Sequence, residues 1–455
     1  MRSRAKSFDK LRAFCEGVPL VDCHDHTGAC GPKYTDAIVA LTSGYVHSDL
    51  TSASSDKDAA FLHDTSRSLD ERWPVLERAW NRTKLTGYAQ VTRRLLKRFY
   101  GEDELSLAAL KRVQRKLVDT GDLKVYQQIG SRLLPADGYE RLDTSDPKVY
   151  EKILAEANIA VRLGDIWHPV AKVLDGSLAL PPRTRLVIGL PGYHAIRDYN
   201  AVQAQVAPLA RTVTSLDEYL AACRELFAAH QRFGAVAFKD QSAYARPIDY
   251  GNPTRAEAEA VFNWFMADPR RSAAYPDGQR PLGDFLFHEF MRMARDLDLP
   301  VQIHTGHMAG IRNEIAKTNA VGLTSVLELH RDVRFDLFHA NWPYSAELLY
   351  LGKNYPNVTL DFCWANIIDP VYCQNLFRQA LAAVPHGKIH GYGSDYVGNV
   401  EYAWAHAQIA RDNLAIALAD LVDAEYLDVD EAKEVARAWL FNNANDFFRL
   451  ALPPA

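Results

Sequence analysis

Residues 21–31, VDCHDHTGACG, set two histidines one residue apart directly after an apolar pair. Leu20 and Val21 read as the tail of a buried strand. In an extended segment alternate side chains share a face, so His24 and His26 point the same way. Two neutral imidazoles on one face can hold one cation. Further donors close later apolar runs: His304 in LPVQIHTGH, His339 in VRFDLFHANW and Asp395 in KIHGYGSDY. His24, His26 and His304 are neutral nitrogen donors suited to a divalent ion, with zinc favoured over Mn, Fe or Ni. Asp395 can ligate that ion, take a proton from its water, or do both. The ion brings the pKa of water down towards ~7, so hydroxide becomes available to attack a carbonyl. His339 is placed to steady the carbonyl oxygen or bind a second ion, and protonated Asp395 can hand its proton to the leaving group.

Substrate-facing candidates follow from charge and shape. Lys239, at the end of FGAVAFKD, is a cation that can meet an anionic group or pair with Asp240. Arg246 and Arg312 stand just beyond two apolar runs, and their planar forks suit a carboxylate, so a small carboxylated substrate is expected. A salt bridge anchoring a loop is the competing role for both. Trp364, in NVTLDFCWAN, either lines a pocket or fills a core. His307 and His390 read as structural, because His390 sits in a strand body five residues before Asp395. Cys23 and Cys30 flank the paired histidines, but Cys23 alternates to the opposite face, which argues against thiolate ligation.

These residues need a scaffold that gathers strand ends. Short apolar runs at 184–190, 233–240, 299–307, 333–342, 357–366 and 388–396 alternate with amphipathic helical stretches. That pattern indicates a parallel sheet buried on both faces. With the first strand and others near IGLPGY it gives seven to eight βα units, and a (β/α)8 barrel is the economical reading. A doubly wound open sheet is the runner-up, but no glycine-rich phosphate loop follows the first strand. His24, His26, Lys239, His304, His339, Trp364 and Asp395 all fall at C-terminal strand ends, where barrel enzymes build their sites. Residues 55–160 read as helix after helix, including DPKVYEKILAEANIAVRLG, so the chain is expected to be one barrel domain over 1–455 with a largely helical insertion after strand one. That insertion either roofs the barrel mouth or forms a subunit contact, which leaves a homo-oligomer open.

Composition narrows the partners. With 48% hydrophobic and 24% charged residues among 455, the chain has the balance of a globular enzyme. A net charge of −5 gives no global reason to expect nucleic acid or an anionic membrane as partner. The basic N-terminus MRSRAKSFDKLRAFCEG reads as an amphipathic helix rather than a secretory signal, and no stretch approaches the ~20 apolar residues of a membrane span. Six cysteines without a CxxC pair fit free thiols in a reducing cytoplasm.

The ordered set HDH, QIHTGH, LFHANW and GYGSDY resembles the amidohydrolase superfamily, whose members carry His-x-His after strand one, histidines after strands five and six, and an aspartate after strand eight. The tail FNNANDFFRL is similar to the closing helix common there. Within the superfamily IHTGHMAGIRNE, TRRLLKRFYG and DFCWAN resemble uronate isomerases, which favours Arg312 as a substrate ligand. The strand-six His339 and the SDYVGN after strand eight depart from that group and follow hydrolases and decarboxylases instead. The resemblance implies a metal-dependent hydrolase in which metal-activated water attacks a C–N or C–O bond of a small carboxylated substrate. Aldose–ketose isomerisation of a sugar acid and non-oxidative decarboxylation are the rivals. In some superfamily members a strand-four lysine is carboxylated and bridges two metals; the plain cation is preferred for Lys239, and with it a single metal.

Overall fold

A computed structural model of the chain describes residues 7–27, 34–117, 126–129, 132–135, 146–397 and 399–455, with the backbone alone for 126–129 and 132–135. Cys30 lies outside the described residues. Eight parallel strands form one sheet in sequential order: β1 Leu20–Asp25, β2 Ile159–Gly164, β3 Thr184–Gly189, β4 Ala237–Asp240, β5 Val301–Ile303, β6 Phe335–Leu337, β7 Val358–Asp361 and β8 Ile389–His390. The sheet closes on itself beyond the ends of β8. Cys23 N donates to Tyr392 O at 3.2 Å, Asp395 N to His24 O at 2.8 Å, and His26 N to Tyr396 O at 3.1 Å. The fold is therefore a (β/α)8 barrel, as the alternating pattern predicts. Strand residues are buried almost throughout, which explains why they read as continuous apolar runs rather than alternating ones.

Sequence signals set many of the surrounding helices. Ser215 caps Leu216–Phe233 in a capping box with Glu218, and Gly234 (φ 110°) ends it in the left-handed conformation. Thr254 and Glu257 begin Arg255–Ala267 in the same way.

Two expectations need correction. The stretch read as helical up to 164 holds a barrel strand: the helix Pro147–Glu156 stops, Asn158 takes φ 53°, and β2 begins at Ile159. A short apolar run after a helix carries no periodicity of its own, so IAVRLG reads as a continuation of the helix before it. The segment after β1 is largely helical, but its bounds differ from 55–160. Its helices begin earlier than residue 55, with Ala37–Thr42 and Val46–Ala53, and an antiparallel strand pair, Tyr126–Ile129 with Arg132–Pro135, follows the helix Leu107–Leu117.

Two apolar clusters organise the packing. One runs through the barrel and its helices. The other joins Leu41, Leu50, Trp80, Tyr88 and Leu95 of the post-β1 helices to Phe338, Trp364 and Tyr396 from the strand exits. The post-β1 helices thus pack against the loops at the C-terminal ends of the strands.

Candidate active site

The exits of β1, β4, β5, β6 and β8 converge. His24 Nε2 lies 3.1 Å from His26 Nε2, and Asp395 Oδ1 lies 3.5 and 3.2 Å from those two nitrogens. On the other side of the carboxylate, His339 Nε2 is 3.8 Å from Asp395 Oδ2 and 3.0 Å from His304 Nδ1. These side chains are buried, His26 less so than the others. The structure brings together all five metal and acid–base candidates from the sequence.

The outer nitrogens of three rings fix their tautomers. His26 Nδ1 faces Asp165 O at 2.9 Å, His304 Nε2 faces His307 O at 2.8 Å, and His339 Nδ1 faces Cys363 O at 3.1 Å. A carbonyl only accepts, so each of these nitrogens carries the hydrogen, and in the neutral rings of His304 and His339 the opposite nitrogen offers a lone pair. His304 Nδ1 and His339 Nε2 then oppose lone pair to lone pair at hydrogen-bond distance, which is repulsive unless a cation sits beside both. Ligands ~2.0–2.1 Å from one ion lie roughly 3.0–3.4 Å apart, so the spacings at both histidine pairs fit co-ligation.

Electrostatics agree. Burial, reinforced by the Lys239 ammonium and neighbouring imidazoles, pulls His24 and His304 well below the ordinary histidine range; burial, His304 and Lys239 do the same to His339. They stay neutral donors. Burial opposes charge on His26 too, but Asp395 and Asp165 push it up to about 9, so this side of the cluster attracts a positive charge. The residues present fit a divalent metal.

Backbone strain falls at the same place. His339, Trp364 and Asp395 take φ of 60°, 63° and 56°, a region that costs any residue but glycine some strain, Asp and His less than Trp. The Asp395 turn is held from below: Asp22 Oδ1 accepts Ser394 N at 2.7 Å and Asp25 Oδ2 accepts Ser394 Oγ at 3.2 Å. Asp25 also pairs with Arg162 of β2 at 3.0 Å. The middle residue of His-Asp-His is thus an anchor rather than a ligand.

A cavity of about 400 Å3 opens onto the cluster, lined by His24, His26, His304, Asp395, Lys239 and Tyr45 among others. Lys239 Nζ is buried without a hydrogen-bond partner and lies 3.5 Å from the centroid of the Phe338 ring. It does not pair with Asp240, which accepts from His194 at 2.7 Å. The other substrate candidates are elsewhere. Arg312 is exposed and bound to Asp56 at 3.1 and 2.7 Å. Arg246 is buried against Asp284 at 2.6 Å and does not line the cavity. Trp364 is fully buried behind the cavity wall, its ring 4.3 Å from that of Tyr45 and 5.3 Å from that of His339. None of the three lines this cavity.

Sequence reasoning missed Tyr45, Gln241 and Tyr244, which line the cavity, and Cys363, whose sulfur groups with His339 and Asp395. Gln241 follows Lys239-Asp240 at a strand exit, a signal that was available. Tyr45 comes from the helical segment and carried none. Burial pushes the Cys363 thiol far up, so it is a poor thiolate donor. Cys23 groups instead with Asp361 and His390 inside the barrel, where His390 pairs with Asp336 at 3.0 Å.

The amidohydrolase family model matches residues 197–450, more than half of the chain. The chain belongs to the amidohydrolase family. Its members are metal-dependent enzymes, and His24, His26 and Asp395 form a group of side chains that could hold a metal ion. Protein fluG of Emericella nidulans is 25% identical over 230 residues, which are 48% of this chain and 26% of that protein, so the chain spans about a quarter of this curated relative. Among solved structures, the uronate isomerase of Thermotoga maritima matches with a TM-score of 0.73 at 14% identity, over 98% of this chain and 99% of that one. A candidate metal-dependent hydrolase from Lactobacillus casei matches with a TM-score of 0.64 at 18% identity, over 97% of each chain. At these identities the amidohydrolase shares a fold with both.

Proposed function

We propose that this amidohydrolase is a hydrolase that cleaves a C–N or C–O bond of a small carboxylated substrate with one divalent metal, zinc in first place. The observation that carries the reading is the convergence of four imidazole nitrogens and one carboxylate beside a cavity that also holds an unpartnered ammonium. His24, His26, His304 and Asp395 would hold the metal, with His339 alongside. Bound there, a metal supplies Lewis acidity, drawing charge from a carbonyl oxygen and lowering the pKa of water.

The chain's own residues do the rest. Lys239 takes the substrate carboxylate in a charge-assisted hydrogen bond, since its Nζ has no protein partner to give up. Asp395 sits between the two histidine pairs, where it can accept a proton from attacking water and return it to the leaving group. His339 donates Nδ1–H to Cys363 O, which fixes its ring and aims Nε2 at the reacting centre. The strand-six histidine beside Asp395 favours hydrolysis over isomerisation. The five described cysteines are free and buried, which supports a reducing compartment, and among the described residues no helix is long and apolar enough to cross a membrane.

The test is Asp395→Asn, assayed with N-acyl amino acids, lactones and uronates. The expected result is a fall in kcat of about 10²–10⁴-fold with metal content retained. Full turnover in the variant removes Asp395 from the mechanism. Wild-type conversion of a uronate to its ketose without hydrolysis, or release of CO2, replaces the hydrolase reading with the corresponding rival.

A further inference from the structure

A second cavity of about 330 Å3 shares His26 and Gln241 with the first and is lined by Asp165, Trp167, His168 and His230. His168 comes from the loop after β2, and His230 from the last turns of the helix Leu216–Phe233. Their Nε2 atoms lie 3.1 Å apart. His168 Nδ1 faces Ile166 O at 2.8 Å and His230 Nδ1 faces Leu226 O at 2.8 Å. Both carbonyls are acceptors only, so both Nδ1 atoms carry hydrogens and both Nε2 atoms present lone pairs to each other.

The arrangement repeats that of His304 with His339 in the first cavity. A neighbouring pair shows the contrast. His288 Nδ1 lies 2.8 Å from His330 Nε2, but only His288 is tied to a carbonyl, Gly251 O at 2.7 Å, so His330 is free to donate. That pair is a plain hydrogen bond, whereas His168 with His230 needs a cation or an added proton. Burial draws His230 below the ordinary histidine value, which disfavours the added proton on that ring. Asp165 Oδ2, buried and without a hydrogen-bond partner, lines the same cavity and adds negative charge.

We propose that His168 and His230 form a second divalent-cation site, separate from the five-donor cluster and selective for imidazole-preferring ions such as Zn2+, Ni2+ or Co2+. Two protein ligands leave several coordination positions open to water or to a ligand in the cavity, so the site binds more weakly than the first. It would present that open face to molecules entering through the wall shared at His26 and Gln241.

The experiment is calorimetric titration of the chelator-stripped full-length protein with Zn2+ alone, alongside elemental analysis. Wild type is expected to show two classes of site. His168→Ala, a change in a half-buried loop, loses the weaker class and about one equivalent while keeping the tighter one. The His24→Ala/His26→Ala double variant loses the tighter class and keeps the weaker. His230→Gln serves as the second variant, because it keeps the bulk of a buried ring position and is expected to behave as His168→Ala does. A single class in wild type, or equal Zn2+ uptake by wild type and His168→Ala, overturns the site. Neither result depends on which reaction the enzyme catalyses.

Discussion

Replacing Lys239 with Met separates binding from stability, because the structure makes opposite demands on the two. The ammonium is buried, has no hydrogen-bond partner, and is drawn below its ordinary value by burial, with Asp395 the largest opposing influence. An ion taken out of water without a partner costs several kcal/mol. The Phe338 ring beneath Nζ returns about 2 kcal/mol of that. Methionine keeps the length and loses the charge, so unfolding free energy should rise by about 1–3 kcal/mol, and the melting temperature by a few degrees. Binding should move the other way. A charge-assisted hydrogen bond to a carboxylate is worth about 1.5–3 kcal/mol, so affinity for a carboxylated ligand falls ~10- to 150-fold. The matching amide ligand, which never used the charge, binds both proteins alike. The assays are denaturant unfolding of the metal-free proteins and calorimetric titration with the acid and amide of one ligand. A variant that is less stable and binds the acid as wild type does refutes the reasoning, since Lys239 would then be a structural residue. Loss of a metal equivalent on the same change would instead identify Lys239 as a carboxylated bridge.

Glu401 gives a pH dependence. It is fully buried, its Oε2 has no partner, and burial pushes it up from 4.5 to about 7. The folded state therefore favours the protonated acid, and the stability it contributes is present below pH 4.5 and is lost as pH rises through about 7. Moving a carboxyl that far is worth about 3 kcal/mol in all, of which Glu401→Gln should gain about 2.5 kcal/mol over wild type between pH 5 and pH 8 in denaturant unfolding. An unchanged difference across that range would show that the side chain titrates normally. Arg312→Ala should leave kcat/KM within about twofold, because an exposed pair with Asp56 contributes little and lies off the cavity. A large rise in KM would return Arg312 to the substrate.

The barrel was legible because each βα unit repeats one pattern, a buried apolar run closed by a polar residue, and repetition compensates for weak single signals. β2 escaped because its strand begins two residues after a helix, and the only local mark is Asn158 in the left-handed conformation. At the site, the paired histidines were legible because strand geometry alone brings His24 and His26 to one face. The arginines were not. Residue type says that a guanidinium will find an acceptor, but Arg312 finds Asp56, 256 positions away, and no spacing rule reaches that far. Tyr45 was hidden for the same reason, arriving from a helix whose packing on the strand exits is a tertiary fact.

The left-handed turn at Asp395 must be held against strain of about 1–3 kcal/mol, and the structure shows by what. Ser394 N, one residue earlier, donates to Asp22 Oδ1 deep in the barrel, and Asp395 N donates to His24 O. Strand one therefore supplies both the facing histidines and the support for the carboxylate beside them. Burial, together with the neighbouring Asp25, pushes Asp22 up to about 8, so its side chain acts as an acceptor that needs no charge. Asp22→Asn keeps that oxygen, and kcat should stay within about threefold of wild type, the acceptor being unchanged. Asp22→Ala leaves Ser394 N unsatisfied, costs about 1–3 kcal/mol of unfolding free energy, and loosens the turn, so kcat should fall at least about tenfold. Steady-state kinetics and denaturant unfolding of the two variants decide it. Equal kcat in both would mean that the Asp395 turn holds its shape without Asp22, and that the strain is borne by the His24 bond and the Tyr45 hydroxyl on Asp395 O instead.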